Sequence, residues 1–393
     1  MNNKKVIIIS LFYYEKTDNI RISTVYNLLK EKNAEVELIT TDFNHRTKKK
    51  HRKEEHPADI TFIPVPEYKK NISPGRLFSH LIFAIRLRKY LKKQKNHPTA
   101  VYCVVPAVTA GIAAAGYCKK NQIPLAIDVI DLWPESFIVI SRYKKILSLL
   151  TYPWKLLAIK SYRSADQLYA GSADYARYTQ QFNKKTKAIP VYLGTGVREF
   201  KKQISQSKLI LNKTKNEIWI CFGGMLGNSY EFEIILKGFK LLSEDRKNIK
   251  LIFIGGGQKS DKILKFRDQH KLNIEVTGFQ KYSDYLNYLA HSDIAVNSFK
   301  EGSRVAYSYK FNDYLSAGLP VLNNVSGEME ELVSRYNIGR NFGHSEMSFK
   351  NTVEELLDTP GLLDEMKKNS NFVATSVLNK ETVYKEMLNN LLR

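Results

Sequence analysis

Lys310 and Asp313 stand three residues apart in the segment Ser308-Tyr309-Lys310-Phe311-Asn312-Asp313-Tyr314-Leu315-Ser316-Ala317-Gly318-Leu319-Pro320-Val321. That spacing puts both on one face of a helix, which Gly318 ends before Pro320 opens a buried strand. An ammonium group neutralises a diphosphate, and a carboxylate accepts from a pair of ribose hydroxyls. The competing reading is a plain surface ion pair between the two. Two glycine turns precede this helix. Gly223-Gly224-Met225-Leu226-Gly227 follows one apolar run, and Gly255-Gly256-Gly257 follows the next. Glycine lets backbone N–H groups approach a phosphate closely, and the helix that follows favours negative charge. Each turn alone reads equally well as a tight turn; two at adjacent strand ends of one domain favour a ligand. Neither turn is GxGxxG or GxxxxGK[ST], so a nicotinamide fold and a P-loop are unsupported.

These residues need a frame, and the hydrophobic pattern predicts one. Apolar runs at 6–10, 36–40, 60–65, 100–105, 125–129 and 167–170 read as strands, with helical periodicity between them, as at 24–31 and 108–119. A second alternating block runs from 218 to 323. Strands alternating with helices predict mainly parallel sheets covered on both faces. The chain of 393 residues therefore reads as two doubly wound α/β domains facing each other across a cleft, at 1–198 and 199–378. A helix at 379–393 follows, with Val383, Met387, Leu391 and Leu392 on the face that would return to the first domain. Sheets of this kind bind ligands beyond the carboxyl ends of their strands.

Composition narrows the function. The net charge is +22, and residues 1–200 hold 34 Lys and Arg against 16 Asp and Glu, while the remainder holds 27 against 23. The basic first half suits an anionic partner. Its cations are interleaved with apolar and aromatic residues at Arg76–Lys95 and Tyr143–Lys155, which suits an anionic bilayer surface; the competing reading is a pair of amphipathic core helices. The basic stretch at 45–53 reads as an exposed loop. Three separated cysteines argue against a disulfide framework and structural zinc. The apolar run Val6–Ile9 is short for a signal peptide, and no run is long enough to span a bilayer, so the expected location is cytoplasmic. Nucleic-acid binding fits the charge, but the basic clusters lack the aromatics or zinc framework of such modules.

Taken together, the segments resemble the retaining glycosyltransferases of family 4, with the GT-B fold, and within them the branch that assembles O-antigens and capsules. The resemblance rests on Ser308–Val321, on Asp128-Val129-Ile130-Asp131-Leu132-Trp133-Pro134-Glu135-Ser136, and on Tyr169–Ser172 with Ala188–Pro190 and Gly196-Val197. The two glycine turns and Val276-Thr277-Gly278-Phe279 complete it. It covers nearly the whole chain. It implies a nucleotide-sugar co-substrate in the second domain, an acceptor in the first, no other cofactor and no obligatory metal. By position, Lys310 would contact the donor diphosphate and Asp313 the ribose. Gly223, Gly224, Met225, Gly255 and Gly256 would line the phosphates or sugar, and Gly278 and Phe279 the base. Asp131 would sit near the reacting centre, as a base or an orienting group; the competing reading makes it the cap of a helix beginning at Trp133-Pro134.

Two departures from the family pattern stand out. The family's first donor-loop glutamate would fall at Val305, leaving Glu301 and Arg304 as the nearby candidates, Arg304 as a second phosphate cation. The cation that often follows the first glycine turn is absent: Asn228-Ser229-Tyr230-Glu231 stand there. The resemblance implies a UDP-sugar donor, a lipid-linked glycan acceptor, and a peripheral position on the inner face of the cell membrane. A nucleotide-sugar epimerase on the same fold is the alternative enzyme.

Overall fold

The structure is a computed structural model that describes residues 4–13, 21–45, 47–70, 73–140, 143–302, 305 and 307–393. The chain divides into two compact units. One ends at Leu193 and takes in Val383–Arg393; the other is Gly194–Thr382.

The first unit is built on a parallel sheet of seven strands: β1 (Lys5–Ile9), β2 (Glu35–Thr41), β3 (Ile60–Ile63), β4 (Ala100–Val105), β5 (Leu125–Val129), β6 (Gln167–Ala170) and β7 (Ala188–Pro190). Their spatial order is β3-β2-β1-β4-β5-β6-β7. The strands read as continuous apolar runs because both faces are buried. Along β1, Ile7 and Ile9 enter one core with Phe83, Leu87 and Leu91, while Val6 and Ile8 enter the other. That second core is completed by Tyr384, Met387, Leu388 and Leu391 of the helix Lys380–Leu391. The segment at 188–190, one of those that carry the family resemblance, is an edge strand paired in parallel with β6. The basic stretch after Thr41 is a two-residue hairpin, Phe43–Asn44 with Lys49–Lys50, whose lysines are exposed as expected.

The second unit repeats the plan with six parallel strands: β8 (Ile218–Gly223), β9 (Ile249–Ile254), β10 (Ile274–Val276), β11 (Ile294–Asn297), β12 (Val321–Asn323) and β13 (Gly339–Asn341), in the order β10-β9-β8-β11-β12-β13. The order reverses direction between β8 and β11, and a doubly wound sheet binds ligands beyond the strand ends at that point. Cys103, Cys118 and Cys221 are buried and unbridged.

Candidate active site

The loops leaving β8 and β11 are joined. Lys300 N–H donates to Ser229 O at 3.1 Å, and the Ser298 hydroxyl to Glu231 O at 3.1 Å. This brings Tyr230 and Phe299 into ring contact, with centroids 4.8 Å apart. The helix Tyr309–Ser316 is pinned over them by Tyr314, whose hydroxyl accepts from Gly223 N–H at 2.9 Å and donates to Val296 O at 3.3 Å.

Lys310 projects from that helix into a three-ring cage. Its Nζ lies 3.6 Å from the ring centroid of Tyr230, 4.1 Å from Phe222 and 5.1 Å from Phe299. The nitrogen is buried, and no described residue accepts a hydrogen bond from it. Lys310 therefore does not pair with Asp313, and the surface ion-pair reading of their spacing fails. Aromatic faces return about 2 kcal/mol to a desolvated ammonium, against several kcal/mol lost when such an ion leaves water. Desolvation wins, and burial pushes the Lys310 amine well below its ordinary value.

The glycine turns interlock beneath this lysine. Gly224 N–H donates to Ile254 O at 2.9 Å, and Leu226 N–H to Gly256 O at 3.0 Å. Gly224 has φ +118°, and a Cβ there would lie 3.1 Å from Lys310 Cδ. Gly255 has φ +148°, and a Cβ would lie 2.0 Å from Gly224 O, a position no side chain can occupy. Met225 stands outward on the same turn. After β10, Gly278 turns the chain so that the exposed Phe279 ring lies against Gly256, where a Cβ would come within 3.2 Å of it. Asp313, half-buried, accepts from the Tyr282 hydroxyl at 3.0 Å. Glu301 is exposed on the turn after β11. Arg304 lies outside the described residues. Lys310, Asp313 and the glycines thus share one strand-end surface, and Tyr230, Phe222 and Phe299, unassigned by sequence, complete it. The signal for Tyr230 was the missing cation at that place.

In the first unit, Asp131 follows β5. Its carboxylate accepts from Trp133 Nε1–H at 2.6 Å and from the Ser136 hydroxyl. The helix begins at Glu135, not at Trp133, so Asp131 ties the preceding turn through side-chain donors and does not cap the helix. Trp133 in turn carries Arg76 over its ring at 4.2 Å and stacks on His80 at 6.0 Å. His80 is buried, with no described partner on either ring nitrogen, and burial, then Arg76 and His45, push it down to about 3. Sequence reading missed this cluster because Arg76 and His80 come from the helix Pro74–Lys92 while Asp131 and Trp133 come from the turn after β5, more than 50 residues away.

The amphipathic stretches divide. Phe83, Leu87 and Leu91 of the helix Pro74–Lys92 are core, and Arg76 is buried over Trp133, so these do not face a membrane. Leu77, Phe78, Leu81 and Ile85 of the same helix are exposed. The helix Lys144–Leu150 buries none of its residues, and Leu149 and Leu150 are 77% and 71% exposed. Among the described residues, no helix is long and apolar enough to cross a membrane.

Residues 203–371 match the family described as glycosyl transferases group 1. Solved structures match over almost the entire chain. Anabaena Alr3699/HepE, in complex with UDP, has 12% identity, 99% coverage of each chain and a TM-score of 0.71. WaaG, a glycosyltransferase involved in lipopolysaccharide biosynthesis, has 12% identity over 98% of this chain and 99% of its own, with a TM-score of 0.65. A UDP-N-acetylglucosamine 2-epimerase has 13% identity over 99% and 95%, also at 0.65. No curated protein matches by sequence. The fold is GT-B, with two Rossmann-like domains. Transferase and epimerase share that fold; the match of residues 203–371 to the group 1 glycosyl transferases supports a glycosyltransferase.

Proposed function

We propose that the chain moves a sugar from a UDP-sugar, with retention of configuration, onto a lipid-linked glycan at the cytoplasmic face of a membrane, in surface polysaccharide synthesis. This places it in family 4, in the O-antigen and capsule branch. The observation that carries the donor half is Lys310 Nζ, buried at the switch point beside two interlocked glycine turns and lacking a described protein acceptor. The UDP bound by HepE supports the nucleotide, and the role of WaaG in lipopolysaccharide biosynthesis supports the pathway class.

In this reading the bond from the anomeric carbon to the diphosphate oxygen breaks as the acceptor oxygen bonds to that carbon from the same face, and the acceptor's hydroxyl proton passes to the departing diphosphate oxygen. Lys310 meets the charge that develops on the leaving diphosphate, with Arg304 as the second cation. Asp131, held by Trp133 and Ser136, orients the acceptor hydroxyl. Asp313 accepts from the ribose hydroxyls. Asp313→Asn should weaken UDP binding by about 1–3 kcal/mol, the cost of losing a charged acceptor, and change turnover at saturating donor little. Calorimetry checks this; an unchanged dissociation constant would move the ribose contact elsewhere.

The acceptor half rests on the exposed apolar residues of the basic unit. Lys144, Lys145 and Lys155 accompany Ile146, Leu149 and Leu150, and Arg86, Arg88 and Lys89 accompany Leu81 and Ile85. Each cation near an anionic surface contributes about 1 kcal/mol, screened within about 10 Å at 0.1 M salt. Sedimentation with anionic vesicles should be strong at low salt and retain a salt-resistant remainder from apolar insertion. Leu149→Asp/Leu150→Asp should abolish that remainder. Equal pelleting with zwitterionic vesicles, or none with either, would contradict membrane docking.

A further inference from the structure

We propose that Tyr230 is a positioning residue for Lys310, and that a nucleoside diphosphate entering the site is bound together with a proton taken up by that amine. The inference rests on the donor reading above and adds a coupling to it. Tyr230 stands where the related pattern carries a cation, and its ring is the nearest of the three around Nζ, at 3.6 Å. A ring there holds the amine in place without supplying or cancelling charge. It also offers its face to the ammonium once a diphosphate arrives.

Among the described residues, the groups around Nζ leave it without a counter-charge. On its own helix, Asp313 is engaged by Tyr282, Tyr314 by Gly223 and Val296, and Tyr309 is exposed. From the loop after β8, the Glu231 carboxylate accepts from Glu233 N–H at 3.2 Å. From the loop after β11, Lys300 and Glu301 are exposed. None bonds Nζ, and burial is the whole cause of its lowered value.

The direction of the coupling follows. Above its lowered value the amine of the free protein is neutral. A bound diphosphate favours the ammonium and raises that value. Between the two values, binding takes up a proton, and affinity falls as pH rises, by up to about tenfold per pH unit. Below the free-protein value the lysine is already charged and affinity is flat. In the protein alone the unfolded chain binds the extra proton, so stability rises with pH across the window between the lowered value and the ordinary lysine value.

Calorimetric titration with UDP at about pH 8, above the second phosphate ionisation near pH 6, tests the proposal in two buffers of different ionisation enthalpy. The wild-type protein should take up a proton, with weaker binding at higher pH. Tyr230→Phe should keep both properties. Tyr230→Leu should bind about tenfold more weakly, with a displaced pH profile. Lys310→Met should lose the proton uptake while melting no lower than wild type, because it removes a buried amine; this readout stands even where Tyr230→Leu fails to fold. UDP binding with no proton uptake and flat affinity from about pH 7 to 9, or a folded Tyr230→Leu that behaves as wild type, would overturn the proposal. A protein that binds UDP at no pH would instead sink the donor reading, and this inference with it.

Discussion

Lys310→Ala should lower turnover by a factor of at least about 100, the cost of removing one preorganised charge from a site where anionic charge develops. On the proposed transfer the loss should appear in turnover at saturating donor as well as in donor affinity, because a leaving diphosphate gains charge as its bond to the anomeric carbon breaks. The mutant should fold normally. Lys310 Nζ makes no hydrogen bond to a described residue, and its burial is a cost to the protein alone. Function and stability should therefore separate at this residue: activity should collapse while the melting temperature holds or rises. A folded Lys310→Ala enzyme with near wild-type turnover would remove Lys310 from the mechanism.

The second large effect lies in the scaffold of the first unit. Arg21 and Asp128 form a buried pair through Nε and Nη2, the latter at 2.7 Å from Oδ1. The Tyr102 hydroxyl donates to the same carboxylate, and Arg21 Nη1 donates to Val191 O. The network fastens the helix Arg21–Glu31 to β5 and to the segment following β7. Asp128→Ala leaves a buried guanidinium without its counter-charge, which costs about 3–5 kcal/mol. At about 2–4 °C per kcal/mol for a domain of this size, the first unit should melt on the order of 10 °C lower. Arg21→Met combined with Asp128→Leu should recover most of the loss, since an apolar pair of similar volume carries no desolvation penalty. Thermal unfolding of the two variants checks this; a single mutant as stable as wild type would show that the pair is dispensable.

Much of this arrangement was legible in the sequence for identifiable reasons. Strands buried on both faces leave unbroken apolar runs, so β1, β4, β5, β8, β9 and β11 were visible. The helix carrying Lys310 and Asp313 was bounded by Gly318 and Pro320. What the sequence hid was long-range. Tyr230 and Phe299 meet only because β8 and β11 are neighbours in space, with β9 and β10 passing between them in the chain. The spacing of Lys310 and Asp313 allowed an ion pair; the rings capture the lysine instead. Asp128 gave no hint of Arg21, 107 residues away. The edge strands β7 and β13, three residues each, are too short for any periodicity to register. In the basic stretches, composition alone did not separate Phe83, which is core, from Phe78, which is exposed.

The central claim, a transferase drawing on a UDP-sugar for a lipid-borne acceptor, is tested most directly by following a labelled sugar. The purified protein is incubated with each of a panel of labelled UDP-sugars, with and without a lipid extract rich in diphosphate-linked glycans, and products are separated by solvent partition and mass. The account predicts that, for one donor, label moves into the lipid phase with release of UDP only when the extract is present, and that Lys310→Ala abolishes the transfer. Conversion of a UDP-sugar into its epimer in the absence of any acceptor, with no label entering lipid, would contradict it.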